Sequence, residues 1–356
     1  MTDRMVRASR KPRLLIVSDS LAAGLGGVVL TQVEWFVQRG WDVHVSGQRD
    51  ERSVELPVGA TDIGLPVSLR TMPEALLAVR NLRRLYGTYK PDIVHCHGIR
   101  SWLIAALAGR RPIMHLHGVG PIPSDPRGYH KLRQIALGVL PRLAVGAVSA
   151  SPGLGDRWLF QADVSPKLDS MRRLPFPPGG EPTFLWLGRL AEQKRPDLFI
   201  QALAQVGKVK PVRGVIAGEG DLERTRELRA LADRLGAPVV FLGERTDVGD
   251  LLRGAWVFVL LTRFEGMPLA VEEAMWAGRA IVASKIPPLE WLVDGAGFLV
   301  EGFPDLVDVL LDLTDASLAE RYGQAAADRI RAVLPPGTGW DVSGELYESR
   351  LKKLAR

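Results

Sequence analysis

Short apolar runs alternate with helical stretches along the whole chain, and the alternation breaks and restarts once. The run Arg13-Leu14-Leu15-Ile16-Val17-Ser18 reads as a buried strand, residues 28–39 as a helix and 42–46 as the next strand. Further strands are expected at 92–95, 112–115 and 143–149, with helices near 73–86 and 102–108 between them. The break is Leu174-Pro175-Phe176-Pro177-Pro178-Gly179-Gly180-Glu181-Pro182, which can continue neither a helix nor a central strand. After it, strands are expected at 183–187, 213–217, 239–242, 256–261 and 280–283. Strand-helix alternation argues for parallel sheets covered on both faces. The reading is two doubly wound, Rossmann-like α/β domains facing a central cleft, at 1–176 and 177–336. Ligands are expected at the carboxyl ends of the strands. The tail, 342–354, reads as an amphipathic helix with Leu346, Leu351 and Leu354 along it.

A chain of 356 residues has room for two such domains. Its one cysteine, Cys96, excludes an intrachain disulfide and fits a reducing compartment, with a buried thiol as the default. No run approaches the roughly 20 apolar residues that span a bilayer. No signal-type stretch precedes the first strand, so a cytoplasmic protein is expected. Charge is unevenly placed. Residues 1–178 carry 24 Lys+Arg against 14 Asp+Glu, whereas 179–356 carry 22 against 26. A basic first half suits an anionic partner such as a membrane surface. The segment with Arg80, Leu82, Arg83, Arg84 and Leu85, and the stretch 127–142, are the candidates. Nucleic acid is not expected, since no motif supports it.

The most specific stretch is Arg263-Phe264-Glu265-Gly266-Met267-Pro268-Leu269-Ala270-Val271-Glu272-Glu273-Ala274-Met275, followed by Ala277-Gly278. An apolar strand runs into it, and a helix is expected from Pro268, which suits a first turn. Glu265 then lies in the strand-to-helix loop and Glu273 about one and a half turns into the helix. Both can face a ligand at the helix N-terminus, where unpaired N–H groups and the helix dipole favour phosphate. Gly266 lets the backbone come close. Two carboxylates so placed suit the hydroxyls of a nucleotide-sugar better than a metal.

This stretch resembles the donor-site signature of the retaining family 4 glycosyltransferases, or glycosyl transferases group 1, which have the GT-B architecture. The resemblance implies that Glu265 contacts donor-sugar hydroxyls and Glu273 the donor ribose. It also implies that the backbone of Gly266, Met267, Pro268 and Leu269 holds sugar and phosphate, and that the last helix crosses back onto the first domain at 337–356. Gly188-Arg189-Leu190 with Lys194 resembles the family's diphosphate-binding segment, two cations neutralising a diphosphate. Gly218-Glu219-Gly220 and Gly243-Glu244-Arg245 resemble loops beside the donor, which makes Gly218 and Arg245 candidates. Gly24-Leu25-Gly26-Gly27 fails the dinucleotide spacing G-x-G-x-x-G. It matches the family's glycine pair near the donor phosphate, at Gly26 and Gly27. The segments 174–178 and Ile286-Pro287-Pro288-Leu289-Glu290 depart from the family pattern, the second replacing a more usual glycine-containing loop.

His95-Cys96-His97-Gly98 and His115-Leu116-His117-Gly118 end two first-half strands. Four histidines and a cysteine are good metal ligands, but no Cys-x-x-Cys or acidic partner accompanies them, so no metal is expected. The resemblance assigns His117 to the donor sugar and acceptor, and the remaining histidines read as packing residues. The expected activity is retaining, metal-independent transfer from a nucleotide-diphosphate sugar, UDP-sugar before GDP-mannose, to a hydroxyl acceptor. That acceptor is a sugar, lipid-linked glycan or natural product. Catalytic roles fall to His117, Arg189, Lys194 and Glu265, with no cofactor. A nucleotide-sugar epimerase of the same architecture lacks the acid/base set it needs. Intact Glu265, Glu273, Arg189 and Lys194 count against a non-catalytic binding partner.

Overall fold

The computed structural model describes residues 10–51, 53–64, 71–118, 139, 142, 144–152, 158–165, 174–177, 179–335, 340, 344–345 and 347–349. The chain forms two compact units, Met1–Pro166 with Thr338–Arg356, and Lys167–Gly337.

The first unit runs β1 (Arg13–Ser18), α1 (Ala23–Gln38), β2 (Asp42–Gly47), β3 (Ala60–Asp62), α2 (Met72–Tyr89), β4 (Ile93–His97), α3 (Ile99–Leu107), β5 (Ile113–Leu116), β6 (Gly146–Ser149) and β7 (Leu159–Phe160). Its sheet has the order β3-β2-β1-β4-β5-β6-β7, and every pairing is parallel. β1 shows why the central runs are continuously apolar. Leu15 and Val17 enter one core layer with Cys96 and Trp102, while Leu14 and Ile16 enter the other with Val29, Val33 and Phe36. A strand covered on both faces has no polar side to show. The C-terminal segment belongs to the second layer: the Tyr347 ring stacks on Phe36 at 4.7 Å. Residues 344–345 and 347–349 are helical, while Leu346, Leu351 and Leu354 lie outside the described residues.

The second unit runs β8 (Thr183–Leu187), a 3-10 turn (Glu192–Lys194), α4 (Pro196–Val206), β9 (Arg213–Ala217), α5 (Leu222–Leu235), β10 (Val239–Gly243), α6 (Val248–Gly254), β11 (Val257–Leu260), α7 (Leu269–Trp276), β12 (Ala280–Ser284), α8 (Pro287–Val293), β13 (Phe298–Val300), α9 (Phe303–Asp312) and α10 (Ala316–Val333). Its order, β10-β9-β8-β11-β12-β13, repeats the first six strands of the other sheet. Both are the 3-2-1-4-5-6 order of doubly wound dinucleotide folds, whose ligand crevice opens where the order reverses.

The structure departs from expectation at four places. Helix α1 begins at Ala23, five residues early, so Gly26 and Gly27 are helical and buried rather than part of a loop. The Gly26 N–H donates to Ala22 O at 3.0 Å. A side chain at Gly26 would strike Leu21 O, which its Cβ would reach at 2.2 Å, so this glycine serves close packing. The segment 286–290, where the family more usually has a glycine-containing loop, opens a helix: Ile286 precedes α8, and Pro287 and Pro288 occupy its first turn, where a missing N–H costs nothing. Strands β3, β7 and β13 carry two or three residues each, too few for a periodic signal. The fourth is the linker. Leu174, Pro175 and Phe176, which read as the end of the first domain and the start of its linker, pack on the second unit.

Arg279 holds that segment there. The side chain is fully buried, a position arginine rarely takes. Its guanidinium donates to the carbonyls of Leu174 (2.6 Å), Pro175 (3.0 Å), Ala255 (3.0 Å) and Ala277 (2.9 Å). Phe176 packs on Trp256 with ring centroids 5.2 Å apart. Arg279→Ala strands four acceptors in the interior, at about 1–3 kcal/mol for each buried group left unsatisfied. We expect denaturant unfolding of that variant to show a stability loss of at least ~3 kcal/mol; a loss within ~0.5 kcal/mol, typical of surface substitutions, refutes the assignment.

Candidate functional site

In the second unit the loops after β8, β9 and β10 are laced together through their backbones. The Gly188 N–H donates to Ala217 O (3.0 Å), Leu190 N–H to Glu219 O (2.9 Å) and Gly218 N–H to Gly243 O (2.7 Å). Gly218 has φ +140, and a Cβ there would lie 1.8 Å from Gly188 O. The two glycines therefore let two loops share one place, and Arg189 is carried exposed between them and the next turn.

The 3-10 turn is stitched to the segment after β11. Gln193 Nε2 donates to Phe264 O (2.6 Å), and Arg263 N–H donates to Gln193 O (2.9 Å). Lys194 Nζ is thereby brought 2.5 Å from Glu265 Oε1, with only 17% and 9% of the two side chains exposed. The Thr262 hydroxyl donates to the same carboxylate oxygen at 2.8 Å, and the Thr262 N–H is held by Ser284 Oγ at 2.8 Å. Thr262 and Gln193 are site residues that carried no motif signal. Arg195 sits in the left-handed region (φ 46) where the turn hands over to α4.

Helix α7 opens at Leu269 with Pro268 before it and no side-chain cap, so its first amides are available to an anion. Gly266, Met267 and Pro268 are buried and Leu269 half-buried. Glu273 is 7% exposed on the fifth residue of the helix, at the expected place. Glu272, beside it, is fully buried. Gly188, Gly218, Lys194, Glu265 and the 266–269 segment are thus brought to the loops of one sheet. Arg245 is differently placed. It is spent on Asp247 through hydrogen bonds of 2.7 and 2.5 Å on the surface, which raises its pKa by stabilising the cation.

The second cluster lies in the first unit. The register pairs His97 with His115 across β4 and β5, so His95, His97 and His115 share one face of the sheet. His117 Nδ1 lies 2.7 Å from Asp163 Oδ2, and His117 Nε2 lies 2.7 Å from His97 Nδ1. Asp163, which no motif marks, is the acidic partner of His117. Burial, then neighbouring imidazoles, push His95, His97 and His115 well below the usual histidine pKa. Nitrogen and oxygen atoms of His115, His117 and Asp163 lie within 4.8 Å of one another, as do those of His95, His97 and His115, but most are already committed to hydrogen bonds. Gly98 (φ +104) turns away from β4 against Asp19, whose carboxylate would meet a Cβ at 2.1 Å and which accepts from Ser101 N–H at 2.7 Å. Burial raises the Asp19 pKa. It also pushes the Cys96 thiol well up, which leaves it inert.

We expect Gly218→Ala to fold with a displaced β9 loop and a melting point lowered by at least ~4 °C, equivalent to about 2 kcal/mol for a unit of this size. An unchanged melting point would show that the two loops do not touch.

Two sheets of this order in one chain are the architecture of the GT-B class of folds. Residues 22–167 match the family profile described as Glycosyltransferase Family 4, and residues 181–315 that of Glycosyl transferases group 1. The chain belongs to this family and is a glycosyltransferase. It is 27% identical over 307 residues to the Bacillus subtilis protein named "Putative glycosyltransferase EpsD", covering 76% of this chain and 79% of that protein. It is 30% identical over 163 residues to the Escherichia coli UDP-Gal:alpha-D-GlcNAc-diphosphoundecaprenol alpha-1,3-galactosyltransferase. That match covers 44% of this chain and less than half, 41%, of the galactosyltransferase. In fold it resembles sucrose-phosphate synthase from Thermosynechococcus elongatus, with a TM-score of 0.79 at 19% identity, over 97% of this chain and all of the other.

Proposed function

We propose that this glycosyltransferase moves a sugar from a nucleoside-diphosphate sugar, UDP-sugar by preference, to a hydroxyl acceptor, with retention of configuration and without a metal in the transfer step. The observation that carries the reading is Lys194, paired with Glu265, beside the uncapped start of α7. Arg189, Lys194 and the α7 amides supply positive charge where the leaving diphosphate becomes more negative. The bond between the anomeric carbon and the diphosphate breaks as the acceptor oxygen bonds to that carbon. The acceptor's proton passes to the leaving phosphate. Glu265 holds donor-sugar hydroxyls and Glu273 the ribose. The galactosyltransferase relative, named for UDP-Gal and a diphosphoundecaprenol acceptor, supports UDP and a lipid-linked glycan.

A thermal-shift series with UDP, GDP, ADP and dTDP tests the donor site. UDP at 100 times its Kd stabilises by about 2.7 kcal/mol, which raises the melting point by several degrees. The shift is expected to vanish in Glu273→Ala. A shift with GDP alone moves the base assignment, and none with any nucleotide at millimolar concentration overturns the site.

A lipid-linked acceptor implies a membrane surface, and the first unit offers one. Of the leucines in the candidate segment, Leu82 is buried and Leu85 is half-buried. The outward apolar residues are instead Met72, Leu76 and Leu77 at the start of α2, with Ile99, Leu103 and Leu107 on α3. Arg80, Arg83 and Arg84 flank them, and Arg83 Nη2 donates to Leu107 O, tying the helices together. Of the stretch 127–142, only Val139 and Arg142 are among the described residues. No described helix is long and apolar enough to cross a membrane. Bound basic and apolar side chains of this kind attach a protein reversibly. We expect the chain to float with vesicles rich in anionic lipid at low salt and to be released by Leu76→Glu with Leu77→Glu. Recovery wholly in the unbound fraction at low salt sinks the proposal.

A further inference from the structure

We infer that His115, His117 and Asp163 of the first unit form a seat for one divalent first-row metal ion, zinc before others. The seat lies within that unit and does not depend on the proposed transfer, whose diphosphate-binding residues belong to the second.

The sheet assembles the ligands. His115 lies in β5 and His117 just beyond it, with ring centroids 4.3 Å apart. Asp163 follows β7, two strands along in the order β5-β6-β7. A ligand atom from each of the three side chains lies within 4.8 Å of the other two. The carboxylate offers one oxygen to each ring. Oδ2 is 2.7 Å from His117 Nδ1, and Oδ1 is 3.5 Å from His115 Nε2.

The second of these contacts points to an ion. His115 Nε2 and Asp163 Oδ1 are buried, and neither has a hydrogen-bond partner among the described residues. The two side chains are 0% and 4% exposed, so water at the surface does not satisfy them. Buried polar atoms seldom stay in that state. A separation of 3.5 Å is longer than an N–H···O bond, ~2.7–3.2 Å. It is too short for a bridging water, since two hydrogen bonds of ~2.8 Å at a tetrahedral angle hold their partners ~4.6 Å apart. It matches the edge of a zinc tetrahedron, ~3.4 Å for bonds of ~2.0–2.2 Å. The 2.7 Å contact opens by ~0.7 Å to reach the same edge, a small side-chain rotation.

The groups behind the two rings suit coordination. With an ion on His117 Nδ1, the ring's hydrogen is on Nε2 and donates to His97 Nδ1 at 2.7 Å. His97 Nε2–H then donates to Gln32 Oε1 at 2.6 Å. With the ion also on His115 Nε2, His115 Nδ1–H donates to His95 Nε2 at 3.3 Å, and His95 Nδ1–H donates to the Tyr347 hydroxyl. That oxygen also accepts from Gln32 Nε2 at 3.1 Å, and two acceptances are within its capacity. Each ligating imidazole thus has its other N–H held by a fixed partner, which orients the ring toward the metal. The neighbouring triad of His95, His97 and His115 is a poorer seat. It has no carboxylate to offset the ion's charge, and all three side chains are fully buried. His117, 17% exposed, gives the proposed seat its way in. Two imidazoles and a carboxylate suit zinc and leave a fourth position for water or a ligand oxygen.

The test uses the untagged full chain, freed of metal by dialysis against a chelator and titrated with zinc chloride in competition with a chromophoric chelator. About one zinc per chain is expected. Loss of a group that merely orients a ligand weakens metal binding ~10–100-fold, so Asp163→Asn should weaken it at least that much. Cobalt(II) in place of zinc should give the intense visible bands of a four-coordinate ion, with no sulfur charge-transfer band from Cys96. If Asp163→Asn does not fold, His115→Gln and His117→Gln must show the same weakening. A parent chain that binds no zinc, or binding unchanged in the folded variants, overturns the inference. So does binding that survives Asp163→Asn and is lost in His95→Gln, which puts the ion on His95, His97 and His115 instead.

Discussion

In a parallel sheet every strand ends at the same edge, and that direction decides where chemistry gathers. Both units obey it. In the second, β8, β9, β10 and β11 deliver Gly188, Gly218, Gly243 and Thr262 to one edge, so backbone bonds between loops are short and repeated. In the first, β4 and β5 deliver His97 and His117 in the same way. Helices on both faces cover the apolar sides, leaving the ends of the strands as the place where polar groups converge without breaking the core.

Charge drawn into these edges is matched locally. Lys194 meets Glu265, which is less than a tenth exposed. A half-buried ion pair is costly to break, because the partner left behind keeps its desolvation without compensation. Arg279 solves the same problem with carbonyl dipoles, and its geometry spends donors on the chain before and after β11 as well as on Leu174 and Pro175. That is why the segment at the start of the Pro/Gly-rich break follows the second unit despite reading as a linker.

Much of the fold was legible in the residues. Strands β1, β8 and β9 lie where their apolar runs place them, since a buried parallel strand must be apolar throughout. Helix starts were harder. Glycines at 24, 26 and 27 read as loop, but packing against Leu21 made helix the better use of a residue without a side chain. Pro287 and Pro288 stand where the family more usually has a glycine-containing loop, and they suit a first helical turn. Arg80, Arg83 and Arg84 marked a basic helix, while the side of it that Leu82 faces depended on what lay beneath.

The sequence by itself determined the two-fold repeat of strand and helix, the glycines that end strands, and the spacing that puts Glu265 in a loop and Glu273 on the helix after it. These are local, because strand and helix periods and glycine's freedom act within a few residues. Only the tertiary structure decided that Asp163 answers His117, that Gln32 joins His97, and that Tyr347 reaches His95 across 252 residues of chain. Such contacts join residues with no shared period or motif. They form because the sheet brings two histidine-bearing strands side by side, and because every buried donor and acceptor at that edge must find a partner wherever the chain can supply one.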